Sequence, residues 1–301
     1  MPTPIASKNI LAVIILTRDE EENLSFALET LSPIADEIFI VDSGSSDRTQ
    51  EIATAAGCKF VIHEWKTYAD QFNWALENLT ITSMWTMRLD SDERLTSELV
   101  AELKDKLTQL PETVTGLMVK RRVYFWGRWI RHGGYYPIWL LRFWRTGLAR
   151  CEARHMDEHM LLERGSIEYL AHDIIDENHK GLGFWIDKHN RYADREIKDI
   201  LSGNSALRVE QFGAQIARKR RLKNNLYHAF PKFLRAFLYW FFRYFFLLGF
   251  LDGKPGFVFH FLQGFWYRLV VDAKLHELDQ AKRTRTSAKN MESVRSDIKP
   301  S

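Results

Sequence analysis

The chain has 301 residues, 46% hydrophobic, 27% charged and 13% aromatic, which is the make-up of a folded protein and too apolar for a disordered one. Two cysteines, Cys58 and Cys151, exclude a disulfide framework and suit a reduced, cytosol-facing compartment. The net charge of +3 conceals a split: residues 206–301 carry 18 Lys and Arg against 7 Asp and Glu, whereas residues 1–205 carry 24 against 32. An acidic body followed by a basic arm points to an anionic surface as partner, nucleic acid or membrane.

The opening MPTPIASKNI has no charged n-region leading into a long apolar run, so secretion is not expected. Leu11–Leu16 reads as a buried parallel strand. A helix follows from about Glu20, with Leu24, Ala27, Leu28 and Leu31 on one face and Pro33 ending it. Glu37–Val41 is the second strand. Asp47 can cap a helix carrying Ile52, Ala55 and Ala56, and Gly57 closes it. Lys59–Ile62 is the third strand, Ala69–Leu79 a helix, Met84–Leu89 the fourth strand and Thr96–Leu110 a helix. Strands alternating with helices imply crossover connections and a parallel α/β sheet. β-rich runs follow at Leu117–Phe125 and Ile138–Trp144, then a strand at Ser166–Ala171 and a helix at Phe184–Leu201.

In an open parallel sheet, ligands bind outside the carboxyl ends of the strands. Here strand one ends in Thr17-Arg18-Asp19-Glu20-Glu21, strand two in Asp42-Ser43-Gly44-Ser45-Ser46-Asp47, and strand four in Asp90-Ser91-Asp92-Glu93. Three acidic clusters on one rim repel unless cations or hydrogen-bond donors satisfy them. Asp90 and Asp92 can bind one hard divalent cation through oxygen, with positions left for diphosphate oxygens and water; capping of the next helix is the plainer role for such residues. Asp42 stands too early to cap, where its carboxylate can accept from a base N–H. The spacing of the dinucleotide-binding G-x-G-x-x-G fingerprint is absent, as is a P-loop.

In that order, IILTRDEEENL, EIFIVDSGSSDRTQEIA and MRLDSDERLTSEL resemble the motif series of glycosyltransferase family 2. With RRVYFWGRWIRHGGYYPIWLLRFWR, the chain looks most like the branch that includes lipopolysaccharide-core β-1,4-glucosyltransferases and exopolysaccharide transferases, over about residues 10–200. The resemblance implies a GT-A fold, a Rossmann-like, mostly parallel α/β sheet flanked by helices. It also implies a UDP-sugar or other nucleotide-sugar donor, a divalent metal (Mn or Mg) and inversion at the anomeric carbon. Carried over by position, Thr17 and Glu21 contact the nucleotide, Asp42 reads the uracil edge, and Asp90 and Asp92 hold ribose and metal. Relatives carry Arg-Asn in the helix after strand three; this chain has Gln71-Phe72-Asn73, which leaves Gln71 on the donor side without a guanidinium.

Inversion needs a carboxylate that takes the acceptor hydroxyl proton. His155-Met156-Asp157-Glu158-His159-Met160 offers two; the resemblance favours Glu158 as base, with Asp157 second. His172, after the strand at Ser166–Ala171, is a candidate third ligand to the metal, or else a satisfied loop histidine. A zinc site of His155, His159 and His172 has no cysteine pair to support it. Lys188 and Arg191 either reach the diphosphate or form a solvated helix face. Arg142 either pairs with a carboxylate or orients the acceptor, and His132, Gly133 and Gly134 form a tight loop on the acceptor side.

Residues 226–269 hold 18 of the chain's 40 aromatics. Ala236–Leu251 and Phe257–Val271 are each too short to span a bilayer and are joined by a turn at Asp252–Gly256. They read as amphipathic aromatic helices lying in a membrane interface, beside the basic cluster at 218–223. A buried core pair, or a homo-oligomer formed through these helices, is the competing reading. The expectation is therefore a glycosyltransferase region over 1–205, a membrane-associating region over 206–280 and a polar, fraying tail over 281–301, on the cytoplasmic face of the inner membrane, with a lipid-linked saccharide as acceptor and no nucleic acid as partner. A nucleotidyltransferase and a non-catalytic membrane scaffold are the alternatives. The enzyme reading requires that Asp42, Asp90 and Asp92 meet on one rim.

Overall fold

The structure, a computed structural model, describes residues 9–152, 159–201 and 230–297, the side chains of residues 283 and 285–297 excepted. Strand β1 (Leu11–Thr17) is buried on both faces, as its unbroken run of branched apolar residues dictates. It pairs in parallel with β2 (Glu37–Asp42) and β4 (Trp85–Arg88), and β2 pairs in parallel with β3 (Lys59–Ile62). Alternate side chains of β1 serve opposite layers. Leu11, Val13 and Ile15 pack with Leu24, Leu28 and Leu31 of α1 (Leu24–Leu31) and with Leu99 and Leu103 of α4 (Ser97–Lys106). Ala12 and Ile14 pack with Phe72 and Ala75 of α3 (Tyr68–Asn78) and with Trp144. Helix α2 (Thr49–Ala55) follows β2, and Asp47 accepts the Thr49 amide at 2.9 Å.

Beyond the first four parallel strands the sheet is mixed. Its order is β3-β2-β1-β4-β8-β6-β11-β5, and β8 (Trp139–Arg145) runs antiparallel to both β4 and β6 (Val114–Phe125). The chain passes from β6 to β8 through the short strand β7 (Arg128–Trp129) and a glycine loop, and no crossover helix intervenes to restore direction. Strand β11 (Ser166–Asp176) lies parallel to β6, with a register shift between Tyr169 and Asp173, and antiparallel to β5 (Glu93–Leu95). β11 runs five residues past its expected end, and that extension sets Asp176 opposite Glu93. The three-residue β5 has no periodicity to betray it. β9 (Ala149–Cys151) and β10 (Met160–Leu162) make a separate ribbon.

Helix α5 (Gly181–Leu201) packs through Ala193 and Ile197 on Tyr267, Val271 and Leu275 of the C-terminal helix. Before that helix come α6 (Leu234–Phe241), continued by a wide π turn at Phe242–Phe246, a 3-10 turn at Gly249–Asp252, α7 (Gly253–His260) and a second π turn at Phe261–Trp266. The last helix, α8, spans Tyr267–Asp297 and so runs through most of the segment expected to fray. The limbs Leu234–Phe246 and Gly249–Lys282 are bent by 72°, with Leu248 in the left-handed region at the break (φ +59°). Among the described residues no single helix is long and apolar enough to cross a membrane.

One buried carboxylate ties the amino ends of the parallel strands. Glu37 accepts the amides of Thr82 and Ser83 at 2.9 and 3.0 Å, the Ser83 hydroxyl at 2.7 Å and the Lys59 ammonium at 2.7 Å. Burial pushes against ionisation, but these donors outweigh it and bring the carboxyl down to about 2. A depressed folded value stabilises fully above the unfolded value near 4.5 and is lost as pH falls towards 2. Glu37→Gln is therefore expected to cost about 2–3 kcal/mol at pH 7, and the gap to wild type in urea unfolding narrows as pH drops below about 4.5.

Candidate functional site

The tips of β1, β2 and β4 stand side by side, and Thr17 and Asp42 are direct partners across the ladder. β1 separates β2 from β4, so Asp42 lies two strand spacings, roughly 10 Å, from the loop after β4. That loop carries Asp90 and Asp92. Asp90 Oδ1 accepts from the Tyr68 hydroxyl at 2.8 Å, and Oδ2 accepts from Arg142 at 3.0 Å. Asp92 Oδ2 accepts from Asn178 Nδ2 at 2.9 Å and lies 3.5 Å from Lys188 Nζ.

Around these two the carboxylates and cations match one for one. Arg88 pairs with Asp90, Arg142 with Glu93 as well as Asp90, Arg121 with Asp176, Lys180 with Glu20 and Lys188 with Asp92. Such matching is what allows so many charges to share one partly dry rim. It also divides their protonation. Burial raises Asp90 and Asp92, but Arg142 and Arg88 hold Asp90 far below the usual carboxylate range, and Lys188 with Asn178 holds Asp92 below it. Burial wins at Glu93, pushed up to about 7, and at Asp176, pushed up to about 6. The two carboxylates of the Asp-x-Asp loop are thus kept anionic and hard, suited to a divalent cation or to a donor of hydrogen bonds. Among the described residues no three His, Cys, Asp or Glu side chains are arranged to hold a metal ion by themselves.

The other expected residues fall into groups. Thr17 and Asp42 meet, but as partners of each other: Asp42 Oδ1 accepts from the Thr17 and Ser45 hydroxyls at 2.7 and 2.5 Å, and Oδ2 from the Gly44 and Ser45 amides at 2.8 and 2.7 Å. The side chain expected to present an open acceptor is caged by its own loop. Glu21 accepts from the Arg48 amide and guanidinium, both at 3.2 Å. Gln71 is fully buried and bonds both the ring and the carbonyl of His63, which fixes the loop after β3. Lys188 reaches the acidic rim; Arg191 is exposed on α5.

Two positions need correction. His172 binds Glu102 of α4, through its ring at 2.9 Å and its amide at 3.1 Å, and so is not beside Asp90 and Asp92; the register shift in β11 turns it towards that helix. Arg142 takes the pairing alternative and not the acceptor-orienting one, because β8 runs antiparallel beside β4 and delivers the guanidinium to Asp90 and Glu93. His132, Gly133 and Gly134 are held by the C-terminal segment: His132 Nδ1 lies 2.6 Å from Asp252, and the Gly133 amide donates to Leu247 at 2.8 Å. Gly133 has φ +66° and a Cβ there would strike the His260 ring, so that loop takes only glycine. Asp157, Glu158 and His155 lie outside the described residues.

Sequence reasoning named Glu93 only as part of the acidic cluster after strand four, and missed Arg88, Tyr68, Asp176 and Asn178. The last two had a signal, a fourth polar strand tip in Asp176-Glu177-Asn178. Arg88 had one as well, an arginine inside an apolar strand. Its guanidinium lies 4.3 Å from the Tyr68 ring centre and 5.9 Å from that of Phe72. A guanidinium therefore does stand beside Phe72, donated by β4 instead of α3. A hollow lined by Met84, Thr115, Arg145 and Arg164 opens at the opposite, amino end of β4, where Arg145 stacks on Trp85 at 4.2 Å.

Residues 12–156 match the model of glycosyl transferase family 2. An uncharacterized glycosyltransferase of Rickettsia conorii is 35% identical over 94 residues, 31% of this chain and 33% of that one. A TPR repeat-containing protein of Synechococcus elongatus is 38% identical over 107 residues, 35% of this chain and 25% of that one. The chain thus covers a third or less of these relatives' lengths. Among solved structures, glucosyl-3-phosphoglycerate synthase from Mycobacterium tuberculosis, in complex with Mn2+ and UDP-glucose, is similar over 38% of this chain and 44% of that one, at 21% identity and a TM-score of 0.31.

The buried guanidinium gives a direct test. Arg142→Met leaves Glu93 and Asp90 without their shared cation and is expected to cost about 3–5 kcal/mol in urea unfolding. Adding Asp90→Asn removes the stranded charge and should recover roughly half of that loss.

Proposed function

Residues 12–156 belong to glycosyl transferase family 2, and from that premise we propose that the chain is an inverting glycosyltransferase that moves a sugar from a UDP-sugar to a lipid-linked saccharide in lipopolysaccharide or exopolysaccharide assembly. The observation that carries the proposal is the placement of Asp90 and Asp92 in the loop at the carboxyl end of β4, on the rim formed by the tips of β1, β2 and β4. Asp42 and Thr17 lie on the same rim, paired across the tips of β2 and β1. The uracil would reach Asp42, and the diphosphate would lie towards Asp90, Asp92 and Lys188.

The donor set at Asp90 and Asp92 is all oxygen and anionic, which fits Mn²⁺ or Mg²⁺, and these two carboxylates would hold the cation together with the donor diphosphate. Such a cation would neutralise the charge that grows on the departing diphosphate. The chain's own part is to orient the donor and to take a proton. The acceptor oxygen attacks the anomeric carbon from behind, the bond from that carbon to the diphosphate oxygen breaks, and UDP leaves with the electron pair. Glu158 takes the acceptor hydroxyl proton in this scheme, with Asp157 as the second choice. The place of work is the cytoplasmic face of the inner membrane, supported by the exposed aromatic residues of α6 and by the basic arm.

Purified protein given UDP-sugars, Mn²⁺ and a lipid extract is expected to release UDP, and a chelator to stop it. Asp92→Asn and Glu158→Gln should each lower turnover by about a hundredfold or more. Full turnover in Glu158→Gln would remove that residue from the scheme.

A further inference from the structure

The C-terminal segment wears its polarity inside out. Of the large hydrophobic side chains that the structure leaves exposed, 14 of 22 lie between Phe230 and Phe261. Phe242, Phe246, Leu248 and Leu251 are among them, Phe246 at 68% exposure. The polar groups of the same stretch face inward. Arg235 and Asp272 are both buried and pair with each other. Arg243 is buried and donates to the Gly133 carbonyl at 2.5 Å. Asp252 is buried and accepts from the Arg131 and His132 amides, the His132 ring and the buried His260 ring. Between residues 233 and 261 Lys254 is the one charged side chain among those described that is exposed.

In water this arrangement is unfavourable: a contiguous apolar surface of this kind marks a contact with another phase or another protein. In hydrocarbon it is what is required, since each ion there must be paired or withdrawn. Charge chooses between the two. No exposed acid occurs between residues 230 and 262, and the sequence entering the patch carries Arg218, Lys219, Arg220, Arg221 and Lys223, a composition complementary to anionic headgroups. The length agrees. Leu234–Phe246 spans about 20 Å as a helix, more than one leaflet's hydrocarbon of about 15 Å and less than a whole core of about 30 Å.

We propose that residues 234–261 form a re-entrant wedge that enters the acyl layer of one leaflet, with loop 131–134 fastened to its inner side. The loop hangs from the wedge by the bonds to Asp252, Arg243 and Leu247. The inference deepens the membrane part of the proposed function and is independent of the chemistry, so its test contains neither donor nor acceptor.

The full chain is floated with vesicles of neutral phosphatidylcholine in about 1 M NaCl, where surface electrostatics are screened out. The wedge predicts that flotation persists there, and that Phe242→Asp with Phe246→Asp lowers the bound-to-free ratio at least about tenfold with unchanged circular dichroism. Flotation that vanishes at high salt would mean adsorption by the basic arm alone and overturn the wedge. So would flotation unaltered by the double substitution. A wild-type dimer that the double substitution splits, with no flotation of either protein, would assign the patch to a second copy. UDP release in a detergent-solubilised acceptor assay reads the chemistry separately, so loss of one result does not remove the other.

Discussion

A carboxylate at the tip of a buried strand has lost most of its water and stays ionised only if something positive is delivered to it. Asp90 draws on two guanidinium groups for this, Arg142 and Arg88, and the buried Arg142 also pairs with Glu93. The order of strands follows from the same need. A parallel neighbour at that place would be fed through a crossover helix on the sheet face; an antiparallel β8 brings its arginine alongside β4 through a short return. The antiparallel placement of β8 and the ionisation of Asp90 are thus two aspects of one arrangement.

Much of the first half was legible because its signals are local. The unbroken run at Leu11–Leu16 and the helical spacing of Leu24, Ala27, Leu28 and Leu31 fix element type within a few residues, and the acids at the strand tips follow from where the strands stop. What could not be read is who answers each acid. Arg142 stands 52 residues from Asp90, and Asn178 stands 86 residues from Asp92. No spacing rule links such positions, since sheet order, not chain distance, brings them together. Phe72 shows the same limit: the helix lacks the relatives' arginine, yet Arg88 of a neighbouring strand supplies a guanidinium beside it.

The body and the arm also share more than their separate compositions suggest. α5, which carries Lys188 to the rim, packs on α8, and the turn between α6 and α7 grips loop 131–134. Three ionisable residues of the arm, Arg243, Asp252 and His260, are spent on that grip. The arm is therefore joined by packed contacts both to the helix that carries Lys188 and to loop 131–134.

The cage around Asp42 has a further consequence. Two of its four bonds come from backbone amides and define the turn; the other two come from the hydroxyls of Thr17 and Ser45. A hydroxyl can swing about its C–O axis without disturbing the chain. Oδ1 can thus exchange its donors by turning two rotors while Oδ2 keeps the turn in shape, so this carboxylate can trade hydrogen bonds within a preformed frame.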